Sequence, residues 1–173
     1  MKVLFIFDQI QAGMGGKEKA NLPLGGKNTG IGSTAMMESQ LKTIDANIIA
    51  TLYCGDKFFE DNKEIVKEKM VAMVKKMNPD IVICGPAYDY KGYANMCAIL
   101  TSEIVEKTDI KALCAMSEQN ESIIEKYKKD ITIVKMPKKG GIGLTEALKN
   151  ICLLAQKMVS EKDYSEFKNK VCY

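Results

Sequence analysis

The sequence predicts a doubly wound α/β fold, Rossmann- or flavodoxin-like: a five-stranded parallel sheet with helices on both faces. Three observations predict it. Five short apolar runs, beginning with VLFIF at Val3–Phe7, read as strands buried on both sides. Segments of helical periodicity alternate with them. Glycine, proline and acidic residues collect just after the strand runs, at the edge where open parallel sheets bind ligands.

The elements follow in order. Val3–Phe7 is the first strand. Ser33 is placed to cap a helix over Thr34–Thr43, with Met36, Met37, Leu41 and Ile44 at helical spacing. Ile48, Ile49, Leu52 and Tyr53 form a second strand that ends at Gly55. Asn62–Met77 reads as an amphipathic helix with Ile65, Val66, Met70, Met73, Val74 and Met77 on one face. Asn78-Pro79 stops it. IVIC (81–84) is the third strand, ended by Gly85-Pro86. A helix runs from about Tyr93 to Lys107, a fourth strand over Ile110–Met116, a short helix to about Lys128, and a fifth strand, ITIVK, to Pro137. Leu144–Val159 is the last predicted helix. Residues 1–159 read as one domain, and the charged tail 160–173 is expected to lie loosely on its surface.

Composition narrows the function. The chain has 173 residues, 46% of them hydrophobic, enough for one sizeable core. Its 25 basic and 22 acidic residues give only +3 and no basic stripe, which argues against nucleic acid. The apolar start of MKVLFIFDQ is too short for a leader or a membrane span, so a cytosolic protein without a membrane partner is expected. There is no histidine, which removes Ser–His and Cys–His nucleophile pairs and imidazole metal sites.

The six cysteines lack C-x-x-C spacing, so neither structural zinc nor a disulfide framework is expected. Cys84, Cys97, Cys114 and Cys152 fall on inward positions. Cys172 is expected to be exposed and unpartnered. Cys54 has two readings. It sits at a strand end beside a helix start, a setting that lowers a thiol pKa, or it is a small buried apolar residue.

Residues 9–32 form a glycine-rich loop far longer than most strand-to-helix connections, and it reads as a binding loop. It matches neither a P-loop nor the dinucleotide fingerprint. Gly30-Ile31-Gly32-Ser33 beside a helix start is a weak phosphate signal, so nucleotide and flavin are not expected. The loop has little apolar surface to bury, leaving its order without a partner open. Glu18 and Asp56 have the chemistry of an acid or base, and equally of turn bonding and capping.

Four segments stand in the same order as in a known family: GMGGKEKAN (13–21), TLYCGDKFFEDN (51–62), GPAYDYKGYANMCA (85–98) and AMSEQNES (115–122). Over roughly residues 1–158 the chain resembles the N-terminal domain of the component B selenoprotein subunit of glycine, sarcosine and betaine reductases. The resemblance implies an oxidoreductase system of anaerobic amino-acid fermentation. There a pyruvoyl group on a partner subunit holds a small amine or amino-acid substrate as a Schiff base, a selenol cleaves the C–N bond, and electrons come from thioredoxin.

By position it points to Gly15, Gly16, Glu18 and Lys19, to Cys54, Gly55, Asp56 and Asn62, and to Gly85, Pro86, Tyr93, Met116, Glu118 and Asn120. Cys54 and Glu18 are the candidates for chemistry, and the rest for substrate or partner binding. In that family the selenocysteine lies C-terminal to the matched region. This sequence ends before it, so pyruvoyl group and selenocysteine are expected on partner chains, alongside other reductase components. A non-catalytic binding module derived from the subunit is the alternative, and a flavodoxin-like electron carrier the third reading. Homo-oligomer formation is left open.

Overall fold

The computed structural model describes residues 1–160 and 163–173. β1 (Lys2–Phe7) lies inside the sheet, with Val3 to Phe7 wholly buried. Parallel neighbours flank it: β3 (Asn47–Tyr53) on one side and β4 (Ile81–Ala87) on the other. β5 (Lys111–Ser117) and β6 (Ile133–Met136) continue the parallel sheet beyond β4. The chain adds β3 on one side of β1 and then crosses to β4 on the other. Strand order therefore reverses at β1/β4.

Strand alternation divides the apolar residues into two cores. Leu4 and Ile6, with Val82, Cys84 and Cys114, face α2 (Asp56–Asp61), α3 (Lys63–Met77), α4 (Lys91–Lys107) and α5 (Glu121–Tyr127). Val3, Phe5 and Phe7, with Ile81, Ile83 and Leu113, face α1 (Glu38–Thr43), α6 (Leu144–Val159) and α7 (Ser165–Val171). α6 shows the helical period most plainly, burying Leu148, Ile151, Cys152 and Ala155. α3 ends where Asn78 turns left-handed, at φ +47°, and donates its N–H to the Val74 carbonyl ahead of Pro79.

Several expectations are corrected. The sheet has six strands rather than five, because the glycine loop contributes β2 (Gly25–Lys27), antiparallel to β3 at the edge. Glycine makes this pairing fit: a Cβ at Gly25 would stand 2.6 Å from the Tyr53 hydroxyl, and one at Gly26 2.7 Å from Leu52 Cδ2. Ser33 does not cap a helix. Residues Gly32–Met36 form a 3-10 turn before α1, and the Ser33 hydroxyl donates to Gln11 Oε1 at 2.5 Å. Ile65 is 56% exposed, since it lies a helical step of about 100° off the Val66–Met70–Val74 stripe.

The described part of the tail is docked as well; residues 161–162 lie outside the described residues. α7 buries Val171, Cys172 pairs antiparallel with Val134, and the Tyr173 N–H donates to the Ile133 carbonyl at 3.1 Å. Cys172 is thus buried rather than exposed.

The long loop is tied down without a core of its own. Every residue from 13 to 33 stays at least partly exposed, yet backbone bonds fix its course: Met14 N–H to the Gln9 carbonyl at 2.8 Å, and Ser33 N–H to the Gln11 carbonyl at 2.8 Å. Gly32 lets the two ends cross, with φ +54° and no room for a Cβ beside the Gln11 carbonyl oxygen and Ala12. Gly32→Ala is expected to lower stability by about 1–3 kcal/mol. Urea denaturation would show this as a lower midpoint with an unchanged slope, and an unchanged midpoint would mean that the crossing is loose.

Candidate functional site

The C-terminal ends of β1, β3 and β4 each release a polar residue into the same place. Asp8 and Gln9 follow β1, Gly55 and Asp56 follow β3, and Tyr88 to Tyr90 follow β4. The Asp56 carboxylate joins them. Its Oδ1 accepts the Tyr90 hydroxyl at 2.8 Å and the Gln9 side-chain amide at 3.3 Å, and Gln9 Oε1 accepts the Asp56 N–H at 3.4 Å. Gly92 in the first turn of α4 is packed against the same carboxylate, leaving no space there for a Cβ. The Lys17 ammonium stands 5.7 Å from the centre of the Tyr90 ring, so the glycine loop reaches this group too.

Two groups here are electrostatically unusual. Asp8 is buried, and its carboxyl is pushed up to about 6. Burial is the main cause, the nearby Asp56 adds to it, and the Gln11 N–H, donating to Oδ1 at 2.6 Å, works against it. Burial and the bond to Asp56 raise the Tyr90 phenol to about 12.

Two grooves open along this edge of the sheet, the first beside the knot that Asp56 ties with Gln9 and Tyr90. One of about 330 Å³ lies between α2, α4 and α5, lined by Asp56, Lys63, Lys91, Asn95 and Ser122 among others. The other, of about 440 Å³, lies past β5 and is bordered by Glu118, Glu121, Glu125, Lys138 and Tyr173.

The residues singled out from the sequence divide by position. Asp56 is in the knot, with Gly55 beside it. Glu118 is exposed, pairs with Lys138 at 3.1 Å and lines the second groove. Asn120 is buried, its amide nitrogen donating to the Tyr88 carbonyl at 2.6 Å and its Oδ1 without a partner among the described residues. Gly85 and Pro86 are buried at the end of β4, joined by a cis peptide bond. Tyr93 is buried, with its hydroxyl donating to the Ile6 carbonyl at 3.0 Å. Met116 is core, and Asn62 Nδ2 donates to the Phe58 carbonyl at 3.0 Å at the junction of α2 and α3. Glu18 closes its own turn by accepting the Gly16 N–H at 2.8 Å, which lowers its carboxyl below the ordinary value. Lys19 lies over Gly15. Among the described residues neither Glu18 nor Lys19 bonds to Asp56.

Cys54 lacks the surroundings of a reactive thiolate. It is fully buried, and burial, helped by Asp56, pushes its thiol up to about 12. The adjacent start of α2 does not offset this, because the Ala20 carbonyl already accepts the N–H groups of Lys57 and Phe58 at 3.0 Å each. All six thiols are buried and raised. No group of three or more His, Cys, Asp or Glu among the described residues could hold a metal ion. No helix among them is long and apolar enough to cross a membrane.

Sequence reasoning singles out none of Asp8, Gln9 and Tyr90 as a site residue. The available signal was position: a polar pair directly after a wholly apolar strand, and a tyrosine five residues past Gly85.

The profile of the glycine/sarcosine/betaine reductase selenoprotein B family matches residues 1–171. The chain belongs to this family. Among curated members, it is 27% identical over 162 residues to the "Glycine reductase complex component B subunit gamma" of Carboxydothermus hydrogenoformans, covering 94% of this chain and 37% of the relative. It is 28% identical over 135 residues to the "Sarcosine reductase complex component B subunit beta" of Peptoclostridium acidaminophilum, covering 78% and 30%. A glycine reductase component B subunit gamma of the same organism is 31% identical over 121 residues, covering 69% and 27%. The chain thus spans about a third of the length of these selenoprotein B relatives. No solved structure matches it.

Asp8 gives the site a testable pH signature. Its folded-state pKa is raised from 3.8 to about 6, so the folded protein holds that proton more tightly than the unfolded chain. The stability this supplies is present below about pH 4 and lost as pH rises through about 6, a change of roughly 3 kcal/mol at most. Asp8→Asn keeps an acceptor for the Gln11 N–H and carries no charge. It is expected to stabilise the protein at pH 7, with the gain shrinking toward zero near pH 4. A gain equal at both pH values, or absent at pH 7, would contradict this account.

Proposed function

We propose that this chain is part of a component B subunit in a glycine/sarcosine/betaine reductase-type complex, and that it meets substrate or partner at the C-terminal edge of its sheet. The family match over residues 1–171 carries the membership. The convergence of Asp8, Gln9, Asp56 and Tyr90 where strand order reverses supports the location. The names of the relatives, which are complex components of glycine, sarcosine and betaine reductases, support a small amine or amino acid as substrate and other reductase components as partners.

The reaction proposed for the whole assembly is reductive cleavage of a C–N bond, with electrons arriving from thioredoxin. The pyruvoyl carbonyl and the selenol would supply the covalent and redox chemistry from outside these 173 residues, in which all six thiols are buried and raised. This chain's own residues would bind and orient. Asp56, held from one side by Tyr90 and Gln9, presents a fixed carboxylate to a cationic amine. Asp8, near 6, can take up or release a proton close to neutrality. Lys63 and Lys91 in the adjoining groove can face a substrate carboxylate. Glu18, Lys19 and the turn at Gly15-Gly16 are proposed to contact the partner, since they stand exposed beside the knot's Lys17. Gly85, Pro86, Tyr93, Met116 and Asn62 would shape this edge from beneath, and Glu118 and Asn120 would border it past β5.

The burial of every thiol also favours a second reading, in which the chain binds a ligand or partner without contributing to the chemistry. Affinity capture from the source organism separates the two. Tagged full-length protein is expected to retain a partner whose intact mass shifts with a hydroxylamine-type carbonyl reagent, and Asp56→Asn is expected to weaken that capture about tenfold. Capture of no carbonyl-bearing partner would favour the binding module.

A further inference from the structure

We infer that the segment Gly13–Leu24 is a strap that opens locally, with the rest of the fold intact, and that its opening controls access to the Asp56 edge. The strap crosses directly over Gly55. A Cβ there would collide with the Ala20 carbonyl oxygen and come within 2.7 Å of the Leu22 N. Past its N-terminal pivot, where the Gly13 and Met14 N–H groups donate to the Ile10 and Gln9 carbonyls, it is fastened by three backbone bonds to the body: Gly55 N–H to the Leu22 carbonyl at 2.8 Å, and Lys57 and Phe58 N–H to the Ala20 carbonyl at 3.0 Å each. A fourth fastening is the Lys17 ammonium on the Tyr90 ring, at 5.7 Å.

What the strap lacks is a fully buried side chain: only Met14 and Leu24, at its two ends, pack half-buried against the cores. From Gly13 to Leu24 no side chain is buried, whereas β1 and β4 on either side of the strand reversal are buried along almost their whole length. A segment held by a few surface hydrogen bonds, with only half-buried apolar contacts at its two ends, opens at a free energy well below that of global unfolding. Its N-terminal end carries suitable pivots, Gly13 at φ +71° and Gly15 at φ +134°. At the other end, β2 keeps the chain paired to β3.

Opening frees the N–H groups at the start of α2 and releases Tyr90 from Lys17, while Asp56 keeps its bonds to Gln9 and Tyr90. The motion does not depend on the proposed function. Only its purpose, admitting substrate or partner to Asp56, rests on that reading.

Hydrogen exchange resolved to single amides at pH 7 tests this on the intact chain. The amides of Gly55, Lys57 and Phe58, whose acceptors lie on the strap, are expected to exchange together at least about tenfold faster than interior amides of β4. Low urea should leave their rates unchanged. Lys17→Ala should accelerate these three amides and not those of β4. Exchange of all of them at the β4 rate, with the same urea dependence, would overturn the strap. An unchanged rate in Lys17→Ala would overturn the Lys17 fastening. A captured partner that slows these three amides supports the purpose. If the three amides open locally but no partner or small amine slows them, the strap stands and the gating role falls.

Discussion

The Asp56 carboxylate is the interaction on which the functional edge depends. Sheet packing alone fixes where the ends of β1, β3 and β4 lie, but not how the chain leaves them. One carboxylate oxygen, accepting from Tyr90 and Gln9, holds the three departures together. Gln9 answers by accepting the Asp56 N–H, so the acid and the amide fix each other's orientation. Tyr90 carries the connection to Lys17 on the glycine loop. The edge is therefore positioned by polar bonds laid over an apolar sheet, which suits a surface that must meet something polar.

The same arrangement places two carboxyls close together in partly dry surroundings. Asp8 bears the consequence: it is buried near Asp56 and is raised to about 6. Tyr90 is raised as well, and so remains a hydrogen-bond donor to Asp56 far above neutrality. The thiols go the other way functionally. Burial makes them poor nucleophiles, and the chemistry available to this chain is that of carboxylates, amides and lysines. That division is consistent with the proposed role, in which this chain binds and orients while reactive groups come from elsewhere.

Much of the fold was legible in the sequence because apolar strands buried on both faces leave continuous runs, and Val3–Phe7 and Ile81–Cys84 are such runs. The α6 boundaries, Leu144–Val159, followed from its helical period. β2 was hidden, because Gly25-Gly26 carries no periodic signal and pairs only through close backbone approach to β3. The docked tail was hidden for a different reason: among its described residues only Val171 and Cys172 are fully buried, with Tyr164 and Phe167 packed half-buried beside them, too few apolar positions among the charges to read as an element. At the site, the motif residues Gly55, Asp56, Glu118 and Asn120 fell at the strand-end edge, whereas the pairing of Asp56 with Gln9 and Tyr90 spans 47 and 34 residues and has no local signature. The choice between the two readings of Cys54 was not legible, because the Ala20 carbonyl that satisfies the start of α2 comes from the long loop, distant in sequence.

The most direct test of this account is a double-mutant cycle between Tyr90→Phe and Asp56→Asn, read as unfolding free energy in urea at pH 7. If Asp56 ties the strand ends together through Tyr90, the two substitutions are non-additive, with a coupling of about 0.5–2 kcal/mol. Effects that add to within about 0.3 kcal/mol would show that the two groups do not depend on each other, and would contradict the account.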